Sequence, residues 1–187
     1  MKHMVQKIII KYEIVSELIK RKELHLRALS KLINIPHPTV YRETKKLKED
    51  NILEYEMKGR NKMISLKKGI ESLYAIYQTE YYKTLKFIEK NPEFSILIEE
   101  IIKKTNSNLI ILFGSYAKGI AKKDSDIDLF VETKNKKIKE MLENTNSRLS
   151  VKIGRLDNKT YLGKEIIDNH IIIKGVETYY EKNPIFN

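Results

Sequence analysis

The chain has 187 residues, of which 41% are hydrophobic and 33% are charged, and this composition predicts one large or two small globular domains. No apolar run reaches the roughly 18 residues that a membrane span requires, and the N-terminus lacks a signal-peptide cleavage site, so neither a membrane anchor nor secretion is expected. The absence of cysteine excludes disulfides and thiolate metal sites, and it favours a cytoplasmic protein.

The net charge of +11 is distributed unevenly along the chain. Residues 1–70 contain 17 Lys and Arg against 8 Asp and Glu, a net charge of +9. Residues 71–187 contain 19 against 17, a net charge of +2. A small basic domain favours a polyanionic partner, most simply nucleic acid. A generally lysine-rich proteome would produce the same excess, so charge alone does not decide between the two explanations.

The first 68 residues predict three helices followed by a hairpin. Pro36 and Pro38 separate the second helix from the third, because proline fits only the first turn of a helix. The turn between the two strands, KGRN, is short and basic. Hydrophobic periodicity places the helices at residues 7–22, 26–33 and 39–50, and the strands at 52–57 and 62–66.

The sequence from Pro36 to Leu66 resembles the recognition helix and wing of a winged helix-turn-helix, as found in archaeal and bacterial transcription regulators. The resemblance implies that the third helix enters the DNA major groove and that the hairpin reaches flanking phosphates. Arg42 is expected to read a guanine edge. A winged helix that binds another protein is the alternative. The residues expected to face double-stranded DNA are His37, Thr39, Tyr41, Arg42, Lys45, Lys46, Lys58, Arg60 and Lys62.

Residues 69–90 predict a long helix that connects the first domain, 1–68, to a second domain, 91–187. Its apolar positions recur at helical spacing, so its tyrosines favour packing within the core or against a second copy over stacking on bases. We expect a homodimer, because winged helices often bind two half-sites. The tyrosines of this helix are Tyr74, Tyr77, Tyr81 and Tyr82.

The second domain predicts an α/β fold, and two of its strands carry the residues suited to chemistry. Gly114 and Ser115 follow the first strand and open a short turn or helix, whose free N–H groups and hydroxyl suit a phosphate. Asp126 and Asp128 lie on the second strand and share a face. Adjacent carboxylates repel each other unless a cation lies between them, and a divalent metal is the usual solution. The helices are expected at 93–104, 134–144, 160–169 and 175–181, and the strands at 109–113, 126–131, 148–153 and 170–174.

Gly-Ser, ten residues and then Asp-x-Asp, placed between apolar strands, resemble the signature of the DNA polymerase β-type nucleotidyltransferases, especially the minimal ones of archaea and bacteria. The resemblance covers residues 91–187 and implies a mixed sheet with flanking helices. It also implies that Asp126 and Asp128 are catalytic and bind Mg²⁺ or Mn²⁺. Gly114 and Ser115 would hold the phosphates of a nucleoside triphosphate, and Lys118 is a further candidate for phosphate contact. The chain is rich in Lys, Ile and Glu and lacks Cys and Trp, a composition that is compatible with an archaeal thermophile.

The family resemblance also implies a third carboxylate on a neighbouring strand, and the sequence does not supply it there. Strand 148–153 offers Ser150 and Lys152 on its polar face. Asp157 lies beyond the end of that strand. Glu132 is about 13 Å from Asp128 along an extended strand, which is too far for one metal cluster. The four histidines show no metal-ligand spacing.

Three functions are compatible with these residues. The first is a DNA-binding protein that transfers a nucleoside monophosphate from a nucleoside triphosphate to an acceptor hydroxyl. The second is a transcription regulator whose nucleotidyltransferase-like domain senses a nucleotide without catalysis, as the missing carboxylate suggests. The third, from family analogy alone, is a toxin–antitoxin component that acts on a partner protein or tRNA.

Overall fold

The computed structural model describes the backbone of residues 2–186 and the side chains of residues 9–186. Met1 and Asn187, the outer limits of the predicted domains, lie outside the described residues. The chain forms two compact units that divide between Tyr82 and Lys83, within a long helix. The predicted domain limits at 68 and 90 stay a prediction. Among the helices that the structure describes, none combines the length and apolar character needed to cross a bilayer.

The N-terminal unit combines helices with a small antiparallel sheet. Its strands β1 (Glu23–His25), β2 (Leu53–Lys58) and β3 (Asn61–Leu66) lie in the order β1-β3-β2, and both neighbouring pairs are antiparallel. The elements in chain order are α1 (Lys2–Arg21), β1 (Glu23–His25), α2 (Leu26–Leu32), α3 (His37–Glu49), β2 (Leu53–Lys58), β3 (Asn61–Leu66) and the beginning of α4 (Ile70–Lys90).

Helix α3 begins at His37, two residues earlier than the sequence predicts. Pro36 precedes the helix as its N-cap and Pro38 lies in the first turn, where a missing N–H costs no hydrogen bond. Val40 and Leu47 are buried on the inner face, as the apolar spacing predicts. The opposite face of α3 therefore remains exposed.

Strand β1 is not predicted from the sequence, because three residues between two helices are too few to show an alternation of apolar and polar side chains. Leu24 of this strand pairs with Ile64 of β3. The β2–β3 hairpin forms as predicted, with Lys58 paired to Asn61 beside the turn. The pairing through β1 attaches the hairpin to the helical part of the unit.

The C-terminal unit is built on a four-stranded mixed sheet, which confirms the predicted mixed α/β fold. Its strands are β4 (Ile110–Leu112), β5 (Ile127–Glu132), β6 (Leu149–Gly154) and β7 (Ile171–Lys174). Their order is β6-β5-β4-β7, with β4 antiparallel to β5 and β7, and β5 parallel to β6. A parallel pair requires a crossover, and helix α7 (Lys136–Thr145) supplies it. After the end of α4, the elements are α5 (Phe94–Lys104), β4 (Ile110–Leu112), α6 (Gly114–Lys118), β5 (Ile127–Glu132), α7 (Lys136–Thr145), β6 (Leu149–Gly154), α8 (Tyr161–Asp168), β7 (Ile171–Lys174) and α9 (Val176–Lys182).

Both faces of this sheet are buried along the middle of its strands. Leu129 and Val151 lie on one face, in a cluster with Ile98 of α5 and Leu142 of α7. Phe130 is also buried, although it lies outside that cluster. Alternation places Asp128 on the face of Phe130, near the beginning of β5. A strand with two buried faces leaves only its ends for polar side chains, and the candidate site lies at one of those ends.

Candidate active site

The beginning of β5 and the end of β4 bring the two predicted motifs together. Phe113 follows β4, and its N–H donates a hydrogen bond to the carbonyl of Asp128 (3.0 Å). Gly114 and Ser115 then open α6, as predicted. Asp126 lies just before β5 and is exposed, whereas Asp128 lies within the strand and is half-buried. The fold therefore places the Gly-Ser turn beside the second aspartate.

The Gly-Ser motif and the aspartate motif come close together at Gly114. Its φ is +68°, in the left-handed region that favours glycine. A Cβ atom at this position would overlap a carboxylate oxygen of Asp128. Only a residue without a side chain allows the α6 backbone to lie this close to the carboxylate. The glycine of the Gly-Ser motif is thus required by both backbone conformation and space.

The Asp128 carboxyl lies in an environment that disfavours its ionised form. Burial raises its pKa above the usual value, and the charges of Asp126 and Glu165 act in the same direction. A hydrogen bond from Ser150 and the charge of Lys152 oppose this shift. The net effect is a raised pKa, because the effect of burial outweighs the compensation by Ser150 and Lys152.

The structure shows which residues of β6 lie near Asp128, on the strand where no third carboxylate is predicted. Ser150 pairs directly with Asp128 across the parallel β5–β6 pair, so a hydroxyl stands where the family resemblance implies a carboxylate. Lys152 is the next residue on the same face and is exposed. Its ammonium is close enough to Asp128 to oppose the rise of the pKa of that carboxyl.

The other two carboxylates considered from sequence have structural partners. Glu132 accepts hydrogen bonds from Lys182 with both oxygens (2.6 Å each) and from the N–H of Leu156 (3.3 Å). Asp157 caps a turn by accepting from the N–H of Lys159 (2.9 Å). Neither carboxylate contributes to the site around Asp128.

Lys118 forms an ion pair that is not predicted from the sequence. Its Nζ atom lies 2.8 Å from Oε1 of Glu165 on α8. This ion pair raises the pKa of Lys118, with a smaller contribution from the charge of Asp128. A phosphate at Lys118 would have to compete with Glu165, and the predicted phosphate contact stays a prediction. Glu165 is 47 residues from Lys118 in the chain, so no local pattern could reveal the pair.

The donor set fits a divalent cation in part. Two carboxylates separated by one residue are suitable oxygen ligands for Mg²⁺ or Mn²⁺. Among the described residues, however, no group of three His, Cys, Asp or Glu side chains could together hold a metal ion. Asp126 and Asp128 would therefore need oxygen atoms of a bound phosphate and of water to complete the coordination.

The residues predicted to face DNA lie on two parts of the N-terminal unit. On α3, the side chains of His37, Tyr41, Arg42, Lys45 and Lys46 are exposed, and Thr39 is half-buried. Arg60 is exposed in the hairpin turn. The structure thus presents most of the predicted set to solvent.

Two lysines of this surface already have partners within the chain. Lys58 forms an ion pair with Glu23 (2.6 Å). Lys62 lies over the ring of Tyr55, with 4.1 Å between Nζ and the ring centroid, and 5.9 Å from the ring of Tyr41. Cation–π contacts of this kind orient an ammonium group without neutralising it. Lys62 therefore stays available to an anion more readily than Lys58.

The fold and site define an α/β domain in which a Gly-Ser turn lies against one of two paired aspartates. Comparison with protein families gives the corresponding result: residues 96–179 match the family model described as "Polymerase beta, Nucleotidyltransferase". This match supports a nucleotidyltransferase-like domain in the C-terminal unit. Comparisons with curated proteins and with solved structures found no significant match.

Gly114→Ala should weaken the binding of Mn²⁺ about tenfold or more, because the added methyl group displaces the Asp128 carboxylate. Calorimetric titration with Mn²⁺ measures this change. Gly119→Ala is the matched control, because Gly119 has a similar φ of +71° but no atom within 4 Å of the added Cβ. Equal Mn²⁺ affinity in Gly114→Ala and Gly119→Ala would show that the close approach does not matter.

Asp128→Asn should stabilise the metal-free protein at neutral pH. A raised pKa means that the folded state binds a proton more tightly than the unfolded state, so the ionised carboxylate lowers the free energy of unfolding. This penalty disappears as the pH falls through the raised pKa and then below the usual value of 3.8.

Thermal unfolding in the presence of a chelator measures this effect. The melting temperature of Asp128→Asn should exceed that of the parent at pH 7, and the two should converge at acidic pH. Asp124→Asn, at an exposed position in the preceding loop, should change stability little at either pH. A lower melting temperature of Asp128→Asn than of the parent at pH 7 would contradict the conclusion that the ionised Asp128 carboxylate destabilises the metal-free protein.

Proposed function

We propose that the C-terminal unit binds a nucleoside triphosphate together with a divalent cation and transfers the nucleoside monophosphate to an acceptor hydroxyl. The bond between the α-phosphorus and the oxygen that bridges it to the β-phosphate breaks, and the acceptor oxygen forms a new ester bond at the α-phosphorus. Pyrophosphate leaves, and the proton of the acceptor hydroxyl passes to solvent. The observation that carries this proposal is the contact of the Gly114 backbone with the Asp128 carboxylate, because it juxtaposes a phosphate-binding turn and a metal ligand. The family match over residues 96–179 supports it.

Each motif residue has a separate task in this proposal. Asp126 and Asp128 hold the cation, which would neutralise charge on the triphosphate and polarise its α-phosphate. The N–H groups at the beginning of α6 and the hydroxyl of Ser115 bind phosphate oxygens. Lys118 supplies a positive charge at the end of the same helix, provided that the phosphates displace Glu165.

A nucleotide sensor without catalysis is the second candidate function. Ser150, hydrogen-bonded to Asp128, and Lys152 occupy the polar face of β6, where the acceptor hydroxyl would otherwise meet a carboxylate. A site with two carboxylates can bind a nucleotide and one cation without deprotonating an acceptor. In this case the bound nucleotide would regulate the N-terminal unit of a transcription regulator.

We further propose that the N-terminal unit is a winged helix-turn-helix that binds double-stranded DNA. The exposed face of α3, the projecting β2–β3 hairpin and the net charge of +9 in residues 1–70 support this proposal. Arg42 and Lys45 lie three residues apart on the exposed face, so both can reach the same groove. Three further statements stay predictions: a homodimer on two half-sites, a protein or tRNA acceptor, and a cytoplasmic location.

Arg42→Ala combined with Lys45→Ala should weaken duplex binding at all salt concentrations. The slope of log affinity against log salt should become shallower by about one to two, because up to two phosphate or base contacts disappear. Fluorescence anisotropy across a salt series measures both effects. Lys67→Ala combined with Lys68→Ala removes the same charge from exposed positions outside the proposed surface and is the control. Equal losses in the two double variants would indicate a non-specific charge effect.

Incubation of the protein with Mg²⁺ and each α-labelled nucleoside triphosphate should yield label on RNA or on protein. Asp126→Asn combined with Asp128→Asn should reduce transfer to the level seen without metal, because both proposed cation ligands lose their charge. Asp124→Asn should retain the parent's activity. Metal-dependent transfer that persists in the double variant would disprove the assignment of the two aspartates.

Ser150→Asp separates the enzyme from the sensor. It places a carboxylate opposite Asp128 in the β5–β6 register, where it could accept the proton of the acceptor hydroxyl. If the parent is a sensor, it should bind the nucleotide without turnover. Transfer could then arise in Ser150→Asp. Transfer by the parent itself would establish that the β6 carboxylate is dispensable.

A further inference from the structure

One arginine outside the predicted motifs contacts two segments of the candidate site. Arg148 lies immediately before β6 and is half-buried. Its Nε and Nη2 atoms donate to the carbonyl of Ser125 (3.3 and 3.1 Å), and Nη2 also donates to the hydroxyl of Tyr116. Ser125 directly precedes Asp126, and Tyr116 directly follows Ser115. A single guanidinium therefore joins the aspartate loop to the helix of the Gly-Ser motif.

The backbone of Arg148 holds the other side of Asp126. The N–H of Ile127 donates to the Arg148 carbonyl (2.8 Å). The residue before Asp126 is thus bound by the Arg148 side chain, and the residue after it by the Arg148 backbone. An aspartate with both neighbours fixed has little freedom to move away from the β5 axis.

Tyr116 gives this contact a rigid support. Its ring packs against Phe94, with 4.8 Å between ring centroids, and against Phe87, with 6.5 Å. The guanidinium carbon of Arg148 lies 5.8 Å from the centroid of the Tyr116 ring. Phe87 and Phe94 belong to a hydrophobic cluster of the C-terminal unit. The chain of contacts from this core through Tyr116 and Arg148 to Ser125 anchors the aspartate loop.

We propose that Arg148 is a positioning residue that fixes Asp126 relative to Asp128 and thereby sets the affinity of the site for a divalent cation. The planar guanidinium can donate to a carbonyl and a hydroxyl in one geometry, whereas a lysine ammonium is a single point donor on a flexible stem. This inference rests on the proposed function of the two aspartates. It predicts that Arg148→Lys, which retains the charge, loses the positioning.

Titration with Mn²⁺, thermal unfolding and amide hydrogen exchange of residues 119–126 test the proposal on the full chain. Arg148→Lys should bind Mn²⁺ about tenfold more weakly and exchange faster in residues 119–126, with a melting temperature close to that of the parent. Tyr116→Phe, which removes one of the two acceptors, should show a smaller loss in the same direction. Arg155→Lys, at an exposed position beyond β6, should match the parent in all three measurements.

The outcomes separate this inference from the proposed function. If the parent binds Mn²⁺ and Arg148→Lys binds it equally well, the positioning role is wrong and the proposed function stands. A lower melting temperature with unchanged Mn²⁺ affinity also overturns the role, because it reveals a contribution to stability alone. If the parent binds no Mn²⁺, the proposed function fails. The claimed effect of Arg148 on cation affinity fails with it, and hydrogen exchange then decides only whether Arg148 fixes the loop that contains Asp126: faster exchange in Arg148→Lys supports this positioning, and unchanged exchange overturns it.

Discussion

The contact between the Gly114 backbone and the Asp128 carboxylate is the constraint on which the candidate site depends. It requires a residue without a side chain, in a left-handed conformation, at the end of a buried strand. It also requires β4 and β5 to be paired in one register, because the N–H of Phe113 donates to the Asp128 carbonyl. A shift of that register by one residue would turn Asp128 into the hydrophobic cluster. The sheet and the site are therefore specified by the same interactions.

The sequence predicts the elements of this architecture better than the contacts between them. The apolar run before Gly114 and the alternation around Asp128 place β4 and β5 to within a residue or two, because burial imposes a pattern on neighbouring residues. Strand β1 has only three residues and leaves no such pattern. The mixed order of the second sheet agrees with the fold that the family resemblance implies.

Side-chain partners that are distant in the chain could not be predicted. Glu165 pairs with Lys118, and Arg148 pairs with Ser125 and Tyr116, through the folding of α8 and β6 against the site. Periodicity reports which face of an element is buried, but it does not report which charged side chain meets which. The same limit applies in the N-terminal unit, where Lys58 looks like a free cation in sequence and is paired with Glu23 in the structure.

Strand β5 carries acidic residues near both ends, and the two ends differ in how their charge is satisfied. At the C-terminal end, both oxygens of Glu132 accept hydrogen bonds from the Lys182 ammonium at 2.6 Å. Near the N-terminal end, Asp128 faces a hydroxyl and a neighbouring aspartate, and its ionisation opposes folding. The two carboxylates of one strand therefore differ: Glu132 has an ammonium partner within the chain, whereas Asp128 is half-buried near another aspartate. Under the proposed function, a divalent cation would supply at Asp128 the positive charge that Lys182 supplies at Glu132.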